Sequence, residues 1–138
     1  MIRHIEFKIP DIEFFENLIQ INKNGLDIDL HNDYSCTQVL FNDNDSSLKI
    51  YFISDSDKMN RLELIFKNVI ILKINFVVSN VLTLDNFSRC KIENDEKLFD
   101  YDENGRSLFI LEFVEGQEIE VLSKEIFICT PPRSPEND

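Results

Sequence analysis

The chain contains no alanine and no tryptophan, and only 3 glycines, 4 prolines and 3 cysteines. Each shortage excludes something. Without alanine the best helix former is missing. Three glycines leave no glycine-rich loop to cradle a phosphate. Cys36, Cys90 and Cys129 are odd in number, far apart and without a CxxC pair. They support neither a zinc knuckle nor a redox motif. Reduced thiols are expected, and with them a cytoplasmic location. Positive charge is also short. Lysine and arginine total 14 against 26 acidic side chains, a net charge of −12. Such a surface repels nucleic acid and anionic membranes, whose recognition relies on Lys and Arg. The longest apolar-rich run, residues 69–78, is interrupted by Lys73 and Asn75. It falls short of the roughly 20 apolar residues a bilayer span requires. Residues 1–8 alternate charged and apolar positions, so no secretory leader is expected.

What is present is an ordinary globular mixture over 138 residues, with 43% hydrophobic and 29% charged side chains. That length suits one domain with a core of its own. Isoleucine, valine and 12 phenylalanines tilt the chain toward strands. A single acidic, β-rich domain is expected over 1–129. Residues 130–138 carry three prolines and no apolar anchor, which predicts a flexible tail.

Residues 2–9 alternate as a strand that Pro10 ends. Asp11 is placed to cap a helix over 12–22, with Ile12, Phe15, Leu18 and Ile19 on one face. Thereafter the pattern is β. Residues 36–42 and 48–53 alternate around the turn formers 43–47, which predicts a hairpin. A polar turn at 54–60 leads into 62–66, then 69–78 and 81–92. Asn104-Gly105 is the preferred pair for a two-residue type I′ turn. It would set Glu103 opposite Arg106, Tyr101 opposite Leu108 and Phe99 opposite Ile110. Strand pieces follow at 106–114, 119–122 and 126–129. The expected fold is α+β and mostly antiparallel, a twisted meander or sandwich of about seven to nine strands with one N-terminal helix.

No residue pattern specifies catalysis. Asp100-Tyr101-Asp102-Glu103-Asn104-Gly105 opens like a calcium loop, but Leu111 stands where the bidentate glutamate belongs. A solvated hairpin is the better reading, and no metal or cofactor is expected. His31 beside Asp33 suggests a base with an orienting carboxylate, weighed against an ordinary loop histidine. Aspartates cluster at 27/29/33, 43/45 and 55/57 within turn-forming surroundings. Phe14-Phe15 would join a binding face if one ring were exposed.

Leu30-His31-Asn32-Asp33-Tyr34, the strand Leu62-Glu63-Leu64-Ile65-Phe66-Lys67-Asn68-Val69, and the late stretch from Glu120 to Ile128 have a shared cadence. Across residues 30–128 the chain resembles small β-rich immunity proteins of bacterial toxin–immunity systems. That resemblance implies a non-enzymatic inhibitor that binds a toxin domain and occludes its active site. The charge agrees, because an acidic protein attracts a basic partner. The expected partner is thus a cognate, basic toxin domain, with no nucleic acid and no membrane, and the oligomeric state is open. Asp43, Asp45, Asp55 and Asp57 are the candidate partner-binding residues. The alternatives are an acidic adaptor or nucleic-acid mimic, and an enzyme using paired carboxylates or a bound cation.

Overall fold

The computed structural model describes residues 3–23, 25–75 and 81–130. Thirteen strands lie among them. They are β1 (Arg3–Phe7), β2 (Gln20–Lys23), β3 (Leu26–Asp29), β4 (Tyr34–Asn42), β5 (Ser47–Ser54), β6 (Arg61–Lys67) and β7 (Ile70–Asn75). Then come β8 (Leu84–Cys90), β9 (Ile92–Asn94), β10 (Lys97–Phe99), β11 (Ser107–Phe113), β12 (Glu118–Ser123) and β13 (Glu125–Thr130). Every strand pairing is antiparallel, and no α-helix occurs among the described residues. The protein is all-β, and the α+β expectation is corrected.

The first sheet has the order β1-β13-β6-β5-β4 and the second β7-β12-β11-β8, with β2-β3 and β9-β10 as separate ribbons. A meander describes only β4-β5-β6 and β11-β12. The strand count exceeds the expected seven to nine for two reasons. Two short ribbons went unread, and long strands switch sheets. Strand β6 continues into β7, and β12 into β13, while β6 pairs β13 and β7 pairs β12. One two-stranded ribbon therefore bends through both sheets, a corner of the kind that joins packed sheets. Asn68 turns this corner with φ 52°, and asparagine tolerates that conformation better than most residues. The Ser123 hydroxyl and the Lys124 amide both reach the Lys67 carbonyl, at 2.8 and 3.2 Å. On the other side, Cys36 and Leu82 exchange two backbone hydrogen bonds and join β4 to the segment entering β8.

Alternation places Leu48, Ile50 and Phe52 of β5 and Leu62, Leu64 and Phe66 of β6 inward. Phe66 meets Phe87 and Phe109 of the second sheet at centroid separations of 5.8 and 5.9 Å. This ring cluster sits in a single hydrophobic core shared by both sheets. The hairpin expected around 43–47 is β4-β5, with a bulge between Cys36 and Gln38. Of the strand expected over 69–78, residues 76–78 lie outside the described residues. Thr130 ends β13, and the rest of the expected tail, 131–138, lies outside them too.

The helix expected over 12–22 is absent. Ile9–Asp11 form one 3-10 turn, and Gln20–Lys23 is β2, paired with β3. Ile12 and Leu18 are buried as the helical face required, but Phe15 is exposed. The competitor is the open edge of β8. The Phe15 amide donates to the Arg89 carbonyl (2.8 Å) and the Leu18 amide to the Phe87 carbonyl (2.6 Å). These bonds replace those a short, alanine-free helix would have made within itself.

Candidate functional site

Strand β8 supplies the centre of the site. Its Phe87 and Arg89 pair with Leu111 and Phe109 of β11, both fully buried. Paired residues share a face, so Arg89 points inward. It is 3% exposed. Its Nε donates to the Ser107 Oγ (2.7 Å), and one terminal nitrogen donates to the carbonyls of Ile9 and Ile12 (3.0 Å each). The Ser107 hydroxyl in turn donates a hydrogen bond to the Asp100 carbonyl at 3.0 Å. The guanidinium also lies 4.0 Å from the Phe14 ring centroid and 5.1 Å from that of Tyr101. No carboxylate among the described residues forms a salt bridge with it. The charge is instead held by dipoles and π faces, and it ties 9–14 and 100–101 to β8.

The surface above Arg89 is aromatic and acidic. Phe14 is half-buried, with the Lys91 ammonium 3.7 Å from its ring centroid, and Lys91 pairs with Asp100. Phe15 is 68% exposed and Leu98 67%, and Phe99 and Tyr101 are also exposed. Between 91 and 103 the chain carries six carboxylates and two lysines. The ribbon β9-β10 turns through Asp95-Glu96, a two-residue loop with Lys97 opposite Asn94. Both turn residues have positive φ, 52° and 64°. This is type I′ geometry, with Asp95 a favoured first residue and Glu96 standing where glycine is preferred. Phe15 is likewise left-handed at φ 67°. Of the five described non-glycine residues with positive φ, three are Phe15 and the two residues of this turn. Strain of this kind concentrates at functional sites.

A groove of about 450 Å³ opens between the ribbon and the 101–103 loop, lined by Ile92, Asn94, Phe99, Tyr101, Asp102 and Glu103. The Asn104-Gly105 loop beside it corrects the expected hairpin. Asp102 closes onto Arg106 across a three-residue loop, with Gly105 left-handed at φ 82°. Asp102 Oδ1 accepts from the amides of Asn104 and Arg106, and Oδ2 from the Arg106 guanidinium at 3.3 Å. Burial pushes the Asp102 carboxyl up, but these bonds outweigh it and leave its pKa below the ordinary value. Tyr101 and Phe99 do not oppose Leu108 and Ile110, because β8 and β12 occupy both sides of β11. Of the oxygens that resemble a calcium site, those of Asp102 are engaged here and Asp100 is held by Lys91.

The four candidate aspartates are brought together only in pairs. Asp43 and Asp45 lie in the β4-β5 turn, and Asp55 and Asp57 follow β5 at its other end. The eight residues of β5 separate the pairs by roughly 25 Å at the usual rise per residue. Asp45 accepts from the Ser47 hydroxyl (2.6 Å), Asp55 from that of Ser35 (2.5 Å), and Asp57 from the Met59 amide (3.1 Å). His31 is not paired with Asp33. Its Nδ1 lies 2.9 Å from the Leu84 carbonyl, and Asp85 stands 3.8 Å away. Asp29 accepts the His31 and Asn32 amides and the Asn32 side chain, and these bonds, led by that of the Asn32 amide, lower its pKa. A second depression, about 430 Å³ on the outer side of β4-β5-β6, is lined by Thr37, Gln38, Tyr51, Arg61 and Glu63 among others. Arg61 and Glu63 leave it without the excess of acid seen near Tyr101.

No protein-family model, curated protein or solved structure gives a significant match to this chain. Sequence reasoning weighed Phe14-Phe15 but passed over Arg89. One cue was available: Arg89 lies two residues after the buried Phe87 and shares its face.

Proposed function

We propose that the protein binds a basic protein partner through the acidic, aromatic face built around Arg89. We further propose that the partner is the toxin domain of a toxin–immunity pair, which the protein neutralises by covering its active site. The observation that carries the first step is the set of exposed side chains, Phe15, Leu98, Phe99 and Tyr101, in the segments adjoining the Phe14, Arg89, Lys91 and Tyr101 stack, where the chain carries six carboxylates between 91 and 103. Exposed aromatics supply the anchors an interface needs, and a rim of like charge steers and orients the partner. The second step rests on the resemblance of residues 30–128 to immunity proteins. In this reading Asp43, Asp45, Asp55 and Asp57 act at a distance, adding to the field that draws the partner in.

The test is capture at low salt from cells of the native source, with release by rising salt. The captured protein is then expressed with and without this chain. One dominant basic protein, harmful alone and harmless with this chain, is the expected result. A Phe15→Ser/Leu98→Ser/Phe99→Ser variant should lose capture while keeping its fold. Undiminished capture by that variant would move the contact elsewhere, and unchanged toxicity would reject the inhibitor reading.

A further inference from the structure

We infer that the groove between the β9-β10 ribbon and the 101–103 loop receives an arginine side chain of the partner. This deepens the proposed function and rests on its reading of the face as a contact for a basic protein. Three observations fit a guanidinium. The walls are apolar or aromatic, from Ile92, Phe99 and Tyr101, and a planar cation stacks on such rings. The volume of about 450 Å³ is ample for one side chain and sits in the range of built ligand sites. The acid at the rim is unevenly committed. Asp102 is held by Arg106 and two amides, whereas Glu103 is exposed and can face an incoming cation. The chain itself uses this mode next door, where Arg89 lies against Phe14 and Tyr101 and Lys91 lies over Phe14. Arginine suits the groove better than lysine because its flat, weakly hydrated fork can stack on Tyr101 and bond Glu103 together.

The experiment needs no partner. Amide shifts of the isotopically labelled full chain are followed while acetyl-arginine amide is added at low salt. Acetyl-lysine amide and the neutral acetyl-citrulline amide are run in parallel. Saturable shifts confined to residues 92–94, 99 and 101–103, strongest for arginine and absent for citrulline, are expected. Glu103→Gln should raise the dissociation constant about two- to fivefold, the range of an exposed ion pair. Phe99→Leu should act similarly through loss of the ring face. Both positions are exposed, so neither change threatens the fold. No saturable shift in the groove, or equal shifts with citrulline, overturns the inference. Capture of a basic partner through Phe15 and Leu98 would still stand in that event, so the two failures are distinguishable.

Discussion

Replacing Arg89 by methionine tests whether a buried cation held by a hydroxyl, backbone carbonyls and aromatic faces keeps the site together. The change removes three hydrogen bonds, to Ser107 and the carbonyls of Ile9 and Ile12. At about 1.5 kcal/mol each, the low end for a charged donor, they contribute roughly 4–5 kcal/mol. Against this, the cation no longer has to be desolvated, which returns several kcal/mol. Methionine also keeps part of the packing against Phe14 and Tyr101. The expected net loss is about 1–3 kcal/mol, read as a lower urea midpoint at unchanged slope. Arg89→Ala adds a cavity and should lose about 2 kcal/mol more. The loss should also be local. Hydrogen exchange at the Phe15 and Leu18 amides, bonded to β8 carbonyls, should accelerate more than at the amides of Phe109 and Val121 in the core strands. A methionine variant as stable as the parent would refute the reasoning, because the cradle would then do no more than offset the desolvation. Uniform acceleration across the fold would refute the claim that Arg89 clamps the 9–18 segment.

Four further outcomes follow from the same geometry. Asp102 has a lowered pKa in the fold, so its contribution is present above the unfolded value of about 3.9 and fades as pH falls through the folded one. The stability gap between the parent and Asp102→Asn should therefore be full at pH 6 and close in acid, as followed by urea midpoints; a constant gap would refute this. Burial pushes the Cys36 thiol up to about 12, so an aromatic disulfide reagent at pH 8 should label it only after unfolding. Reversing the charge of Asp43, Asp45, Asp55 and Asp57 should slow partner association by about tenfold or more at low salt while leaving dissociation unchanged; an altered off-rate would place them in direct contact. Finally, Asp95→Asn with Glu96→Gly should raise stability by about 1 kcal/mol or more, because the new pair accepts left-handed geometry, and should weaken capture by removing two carboxylates.

Much of the fold was legible because strand chemistry is local. Leu48, Ile50 and Phe52 of β5 and Leu62, Leu64 and Phe66 of β6 alternate along their strands, and the turns at 43–46 and 55–60 are rich in Asp, Asn and Ser, which bond nearby backbone. What was not legible came from distant competitors. Residues 12–19 match a helical period, yet the free edge of β8, some 70 residues later, offers them better hydrogen bonds. Asn104-Gly105 has the right composition for a two-residue turn, yet the Asp102 side chain captures two amides and draws the loop out to three residues. Nothing in either local stretch announces those partners.

The site was hidden for a related reason. Taken singly, Phe14, Arg89, Lys91 and Tyr101 each have an unremarkable local reading, and only the crossing of 12–18 over β8 stacks them. The type I′ turn illustrates the same point in reverse. Its most favoured pair stands at Asn104-Gly105, where the chain does not use it, and its geometry occurs at Asp95-Glu96, where glutamate replaces the preferred glycine. Glu96 holds a left-handed conformation that glycine would accept more readily, so most of the stability gained by the double substitution should come from that position.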